Sequence, residues 1–352
     1  HRVRHKLNRL CARDPSLHPY RYPGINVDHF ERGDVADADV LHIHKPSLWK
    51  QAIQIGHQPD GPALVVHAHS VDGFTGGCVL EQDCPRLSKG CTECPIVASP
   101  LQFLPPRGLS ARERQLRRGR PHIIANSRAT LDAIERSGIL PDDVGRSIVY
   151  PAVDSTVFYD ESPDRVDVDS SGGEPSARIG FISYSVENPN KGFEDYVDAL
   201  HRVETERPVQ GVVAGNCRTD MEASHPDLEF TGELKTDVEL RRFYNSLDVL
   251  VVPSVSESFG KVSVEAQFCG TPVVCYDRGG LPETVLNGVT GRVTDQNTSS
   301  HLAAAVQDVL TWTDVAQRFK SGDATQFLSH FQATTIADEY RSLYRRLHAA
   351  SQ

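Results

Sequence analysis

The sequence predicts an α/β chain of two domains, each a parallel sheet layered with helices. Three observations carry this. The 352 residues, 39% of them hydrophobic, suffice for two cores. Residues 248–276 read as strand, loop, helix and strand in direct succession. Residues 160–175 are rich in Asp, Ser, Gly and Pro with almost no large apolar side chain, as expected of a linker between two domains.

Composition excludes several classes. The net charge is −10, with a mildly basic front half and an acidic rear half. A nucleic-acid binder would carry a much stronger basic footprint, so no nucleic-acid partner is expected. No apolar run approaches the length of a membrane span and no signal-peptide pattern is present, so a cytoplasmic chain is expected. The first residue is His and the only Met is Met221, which reads as a fragment or a processed chain.

Taken in order, residues 1–13 alternate Arg2, Arg4, Lys6, Arg9 and Arg13 with Val3, Leu7 and Leu10. They suit a basic amphipathic helix, either solvated or in peripheral contact with the inner membrane face. Asp39–His44 and Leu64–His69 read as strands. His44 and His69 stand at their carboxyl ends, the ligand side of a parallel sheet, with a core histidine as the alternative for each. Cys78, Cys84, Cys91 and Cys94 then fall within 17 positions. In a reducing compartment, four clustered thiols favour a structural Zn²⁺ over disulfides, and two packed thiol pairs are the alternative. Six arginines between Arg107 and Arg120 suit a basic helix, exposed or set against an anionic lipid or phosphate. His122–Ser127 reads as a strand and Arg128–Ser137 as a helix stopped by Gly138.

In the rear half, Arg178–Ser183 reads as a strand, followed by Asn190-Lys191-Gly192 and an amphipathic helix. Val209–Gly215 is the next strand, and Gly215 suits close approach of a nucleotide. Asp248–Ser254, a β-branched run ended by Pro253, reads as a buried parallel strand. The loop Val255–Ser258 leads to a helix ended by Gly270 and Pro272, and Val273–Tyr276 starts another strand. Glu257 precedes that helix and Glu265 lies two turns inside it, about 12 Å along the axis. The helix start offers N–H groups and a positive dipole end that suit a diphosphate. Carboxylates on either side suit sugar hydroxyls; two solvated acids on a surface helix are the alternative. Residues 299–348 read as successive helices.

The segment from Glu257 to Glu265, with Phe259, Gly260, Gly270-Thr271-Pro272-Val273-Val274 and Gly279-Gly280-Leu281-Pro282-Glu283 in the same order, resembles the E-x7-E region of the family-4 retaining glycosyltransferases. That resemblance covers most of the chain. It implies the GT-B fold, two Rossmann-like domains facing a cleft: residues 1–158, a linker at 159–176, residues 177–330, and a C-terminal helix in 331–352 returning to the first domain. It implies that Glu257, Ser258, Phe259 and Gly260 meet the donor sugar and phosphates, that Glu265 holds the ribose, and that Lys191 pairs with the diphosphate. Lys261 stands where an aliphatic residue is usual and adds a second cation. His69 is implied as a catalytic residue alongside Glu257 and Lys191, with His44 and Ser70 on the acceptor side; Ser70 replaces an Asp. The stretch Phe74-Thr75-Gly76-Gly77-Cys78 through Cys94-Pro95 looks like that of a subgroup linked to exopolysaccharide assembly. Nothing before Val40 supplies the strand and Gly-rich loop with which such a front domain opens, so that domain is expected to be incomplete.

The implied activity is transfer of a sugar, with retention, from a nucleoside-diphosphate sugar to a glycan or lipid-linked acceptor. No metal is needed for that catalysis, since Lys191 and the helix N-terminus offset the leaving-group charge. The alternatives are a non-catalytic nucleotide-sugar-binding protein and a sugar-nucleotide epimerase of the same fold. A nicotinamide dehydrogenase is disfavoured, because no G-x-G-x-x-G follows a strand.

Overall fold

A computed structural model describes residues 35, 37–56, 61–79, 84–161 and 176–351. The basic segment 1–13 and most of the 159–176 linker lie outside the described residues. The chain divides into two compact units, residues 1–150 with 337–352 and residues 151–336.

The first unit contains β1 (Val40–Ile43), α1 (Trp49–Gly56), β2 (Ala63–Ala68), α2 (Leu104–Gly119), β3 (His122–Ala125), α3 (Arg128–Arg136) and β4 (Arg146–Ile148). The four strands form a parallel sheet in the order β1-β2-β3-β4. Leu41, Ile43, Leu64, Val66, Ile123 and Ala125 send alternate side chains into one core with Trp49, Ile53, Leu109 and Leu116, as a period of two requires. Ser127 starts α3 by accepting the Thr130 N–H, and Gly138 follows its end at φ +70°. In α2 the arginines do not share one solvated face. Arg112 is buried, donates to the Pro46 carbonyl and lies over the Trp49 ring.

The second unit contains β5 (Ala177–Ser185), α4 (Phe193–Leu200), β6 (Val209–Asn216), α5 (Thr219–Ser224), β7 (Leu228–Gly232), α6 (Asp237–Asn245), β8 (Val249–Val252), α7 (Lys261–Phe268), β9 (Val273–Cys275), β10 (Gly291–Val293), α8 (Ser299–Leu310), α9 (Val315–Phe319) and α10 (Gly322–Ser329). Its six parallel strands run in the order β10-β9-β8-β5-β6-β7. Every residue of β8 and β9 is buried, which accounts for their unbroken apolar runs. β7 runs to Gly232, and Leu281–Thr284 form one 3₁₀ turn.

Residues 151–158, expected in the front domain, group with the second unit. The reason is local bonding: Val153 exchanges hydrogen bonds with Phe331 and Ala333, and Arg241 donates to the Val157 carbonyl. The last helix, α11 (Ala333–Ser351), begins in the second unit and continues into the first from residue 337. There Tyr344 bonds His42 and Tyr340 bonds His67.

Candidate functional site

In the second unit, β5 and β8 are neighbours, so the loops leaving their carboxyl ends meet. The first is the 3₁₀ turn Pro189–Lys191, closed by Gly192 at φ +73°. A Cβ at Gly192 would stand 2.1 Å from the Pro253 carbonyl oxygen, and the Val255 N–H donates to Asn190 across the same contact. These two backbones are therefore in direct contact, and only glycine fits at the crossing. The result brings together two residues 66 positions apart: Lys191 Nζ lies 2.5 Å from Glu257 Oε2.

Beyond Glu257 the chain enters α7 through Gly260, at φ +94°. The loop is clamped from behind by Gly279 and Gly280. The Gly280 N–H donates to the Glu257 carbonyl, and a Cβ at Gly279 would fall 2.0 Å from that same oxygen. Phe259 is buried against Phe331, so its side chain anchors the loop. Ser258 is half-buried and Lys261 exposed. Glu265 is buried, with Tyr244 donating to Oε2 at 2.9 Å and Lys261 Nζ 2.8 Å from Oε1. A buried carboxylate persists only with such partners. Tyr244 itself is held neutral far above the ordinary phenol range, by burial first and the Glu265 carboxylate second. Ser263, in the first turn of α7, has a buried Oγ with no partner among the described residues. It is thus an orphan beside the helix start.

Lys191, Glu257, Ser258, Phe259, Gly260, Lys261 and Glu265 therefore converge on one end of one sheet. A Cβ at Gly215 would fall 1.7 Å from the Ser183 carbonyl oxygen, so the packing of β6 on β5 itself requires glycine there.

In the first unit, His44 and His69 are exposed at the ends of β1 and β2, with His44 Nδ1 2.8 Å from His69 Nε2. Burial lowers the pKa of both. Ser70 donates to Asp72 at 2.9 Å. Asp72 is buried and raises the His69 pKa, against that stronger lowering. A carboxylate therefore does stand by His69, two residues later than the position Ser70 occupies. Sequence reasoning also passed over His42 and His67, which sit two residues before His44 and His69 on the same face. Burial and the neighbouring imidazoles bring His42 down to about 4 and His67 to about 2. The doubled H-x-H spacing was the signal that could have found them.

The four cysteines of the front loop are free thiols. Cys78 bonds Cys94, and that bond, burial and the thiols of Cys94, Cys91 and Cys84 raise its pKa strongly. Burial first, with Cys94 and Cys84 after it, pushes Cys91 up to about 11, against a hydrogen bond from the Gly76 N–H. Neighbouring thiols disfavour the thiolates of Cys78 and Cys91, a penalty that a bound thiophilic cation would remove.

Residues 176–311 match the family model described as glycosyl transferases group 1. Among curated relatives, a D-inositol 3-phosphate glycosyltransferase of Mycobacterium marinum is 38% identical over 109 residues, 31% of this chain and 23% of its own length. That of Mycolicibacterium vanbaalenii is 51% identical over 71 residues, 20% of this chain and 16% of its own length. The chain thus matches under a quarter of the length of either. Over the whole fold it is similar to a sucrose-phosphate synthase from Thermosynechococcus elongatus (TM-score 0.69, 20% identity, 91% of this chain and 76% of that one). It is also similar to Anabaena HepE in complex with UDP-glucose (TM-score 0.65, 21% identity, 89% and 80%). No helix among the described residues is long and apolar enough to cross a membrane. The second unit carries a glycosyl transferases group 1 domain, and the chain has the GT-B fold.

Proposed function

We propose that this protein is a retaining glycosyltransferase of family 4 that passes a sugar from a nucleoside-diphosphate sugar to a glycan or lipid-linked acceptor in cell-surface polysaccharide or glycoconjugate synthesis. The observation that carries the reading is the pairing of Lys191 with Glu257 at the start of α7. In it, one ammonium, a helix N-terminus and a carboxylate occupy a single sheet end. A diphosphate entering there gains the ammonium and the first N–H groups of α7. Lys191 is then released from Glu257, whose carboxylate is free to accept from sugar hydroxyls. Lys261 adds a second cation, and Glu265, held by Tyr244, offers its oxygens to the ribose. As the sugar leaves the diphosphate, these fixed charges stabilise the developing negative charge on the leaving group without a metal. HepE and a pneumococcal O-GlcNAc transferase with a similar fold are described in complex with UDP, so uridine is the favoured base. His69, oriented by His44 and Asp72, serves the acceptor side, and a peripheral membrane position suits a lipid-linked acceptor. The four cysteines hold a structural zinc.

The test is calorimetric titration of the purified chain with UDP, GDP and ADP, alongside Glu265→Ala. Micromolar binding of one nucleotide, weakened in the variant, supports the reading. No binding of any of the three overturns the donor site.

A further inference from the structure

We propose that His42, His44 and His67, on the first sheet, form a binding site for a divalent late first-row transition ion such as Zn²⁺, with Tyr340 and Tyr344 of α11 orienting two of its ligands. The three histidines belong to the first unit and are distinct from the four cysteines; His44 is shared with the acceptor-side reading above, which assigns the set no metal.

The geometry follows from the strands. β1 and β2 are parallel neighbours, paired through Ile43 and Val66. Extending that register by one residue sets His44 beside His67, and the period of two puts His42, His44, His67 and His69 on one face. The rings stack along it, 4.3 Å between His42 and His44, 5.4 Å between His42 and His67, and 4.1 Å between His67 and His69. One nitrogen from each of His42, His44 and His67 lies within 4.8 Å of the other two. A tetrahedral Zn²⁺ with Zn–N bonds of about 2.0–2.1 Å sets its ligands about 3.3 Å apart, so the rings turn out of their stack to close the set.

Two further observations point to an ion over a merely packed imidazole cluster. His42 Nε2 and His67 Nε2 are both buried with no hydrogen-bond partner among the described residues. His67 is only 6% exposed, which withdraws it from bulk solvent. Leaving such atoms unpaired is costly. The opposite nitrogen of each ring is held: His42 Nδ1 lies 2.7 Å from the Tyr344 hydroxyl and His67 Nδ1 3.2 Å from that of Tyr340. When Nδ1–H donates to the tyrosine oxygen, the lone pair on Nε2 turns inward, the tautomer a metal needs. A held outer nitrogen is the usual support of a metal-bound histidine. No carboxylate belongs to the set. Nitrogen donors alone select Zn²⁺, Co²⁺, Ni²⁺ or Cu²⁺ over Mg²⁺ and Ca²⁺. His44 is exposed, so water or a solute donor reaches the fourth position. The ion would also tie α11 to the first sheet, since binding strengthens both tyrosine contacts.

The test is titration of the metal-stripped full chain with Co²⁺, followed by visible absorption. Nitrogen-ligated Co²⁺ gives weak d–d bands without the intense near-ultraviolet charge transfer of thiolates, which separates this site from the four cysteines. We expect one nitrogen-ligated ion per chain, lost in His42→Asn and in His67→Asn. Because a buried histidine could be needed for folding, Tyr344→Phe and Tyr340→Phe provide the second arm. These keep the ligands and the ring volume, and each should weaken Co²⁺ binding about 10- to 100-fold with the circular dichroism unchanged. The absence of any nitrogen-ligated band in the parent chain, or affinity unaltered in all four variants, overturns the proposal.

Discussion

Replacing Lys191 with Ala tests the donor site at its centre. In the free protein Lys191 and Glu257 are paired at 2.5 Å, with side chains 31% and 17% exposed. That partial burial sets the cost of losing the pair for stability at about 1 kcal/mol, between exposed and buried pairs. The larger effect falls on the nucleotide. A hydrogen bond to a charged group contributes about 1.5–3 kcal/mol, so removing the ammonium should weaken nucleotide diphosphate binding about 10- to 150-fold. The unpaired Glu257 carboxylate adds repulsion in the same direction. Calorimetry of the parent chain, Lys191→Ala, Glu257→Gln and the double variant separates these contributions. Glu257→Gln should bind the bare nucleoside diphosphate at least as well as the parent, since it frees the ammonium and removes a negative charge. It should lose affinity for the intact nucleotide sugar, whose hydroxyls the carboxylate holds. If Lys191→Ala binds the nucleotide within twofold of the parent while remaining folded, the ammonium does not meet the diphosphate and the reasoning fails.

Gly279→Ala should destabilise the second unit by about 1–3 kcal/mol. The residue sits at φ +55°, and the added Cβ would fall 2.0 Å from the Glu257 carbonyl oxygen. Urea denaturation reads the loss, and nucleotide affinity should fall with it because the Glu257 loop must shift. For the cysteine loop, Cys94→Ser should remove one equivalent of zinc by elemental analysis and lower the melting temperature. An unchanged zinc content would show that Cys94 is not a ligand.

Reading periodicity finds elements because it depends only on neighbours in sequence. The apolar run of Val249–Val252, the glycine-started α7 and the buried Val273–Cys275 were legible for that reason, and so was α3 with its stop at Gly138. The cysteine cluster was legible from spacing. Short strands without a strong apolar pattern were not, as with Gly291–Val293, whose place in the sheet comes from pairing with β9.

The sequence by itself determined the α/β alternation and the helix whose start offers an anion site. It also determined the set of polar residues, Lys191, Glu257, Lys261 and Glu265, from which a donor site could be built. Only the tertiary structure decided that Lys191 meets Glu257, because that contact depends on β5 lying beside β8, an adjacency between strands about seventy residues apart. It likewise decided that the backbone of Ser183 crowds Gly215 and that Tyr244 holds Glu265. It drew His42 and His67 into one face with two tyrosines from the far end of the chain. Side-chain period follows from local geometry, but strand order and register follow from which apolar faces bury together, and that is a property of the whole fold.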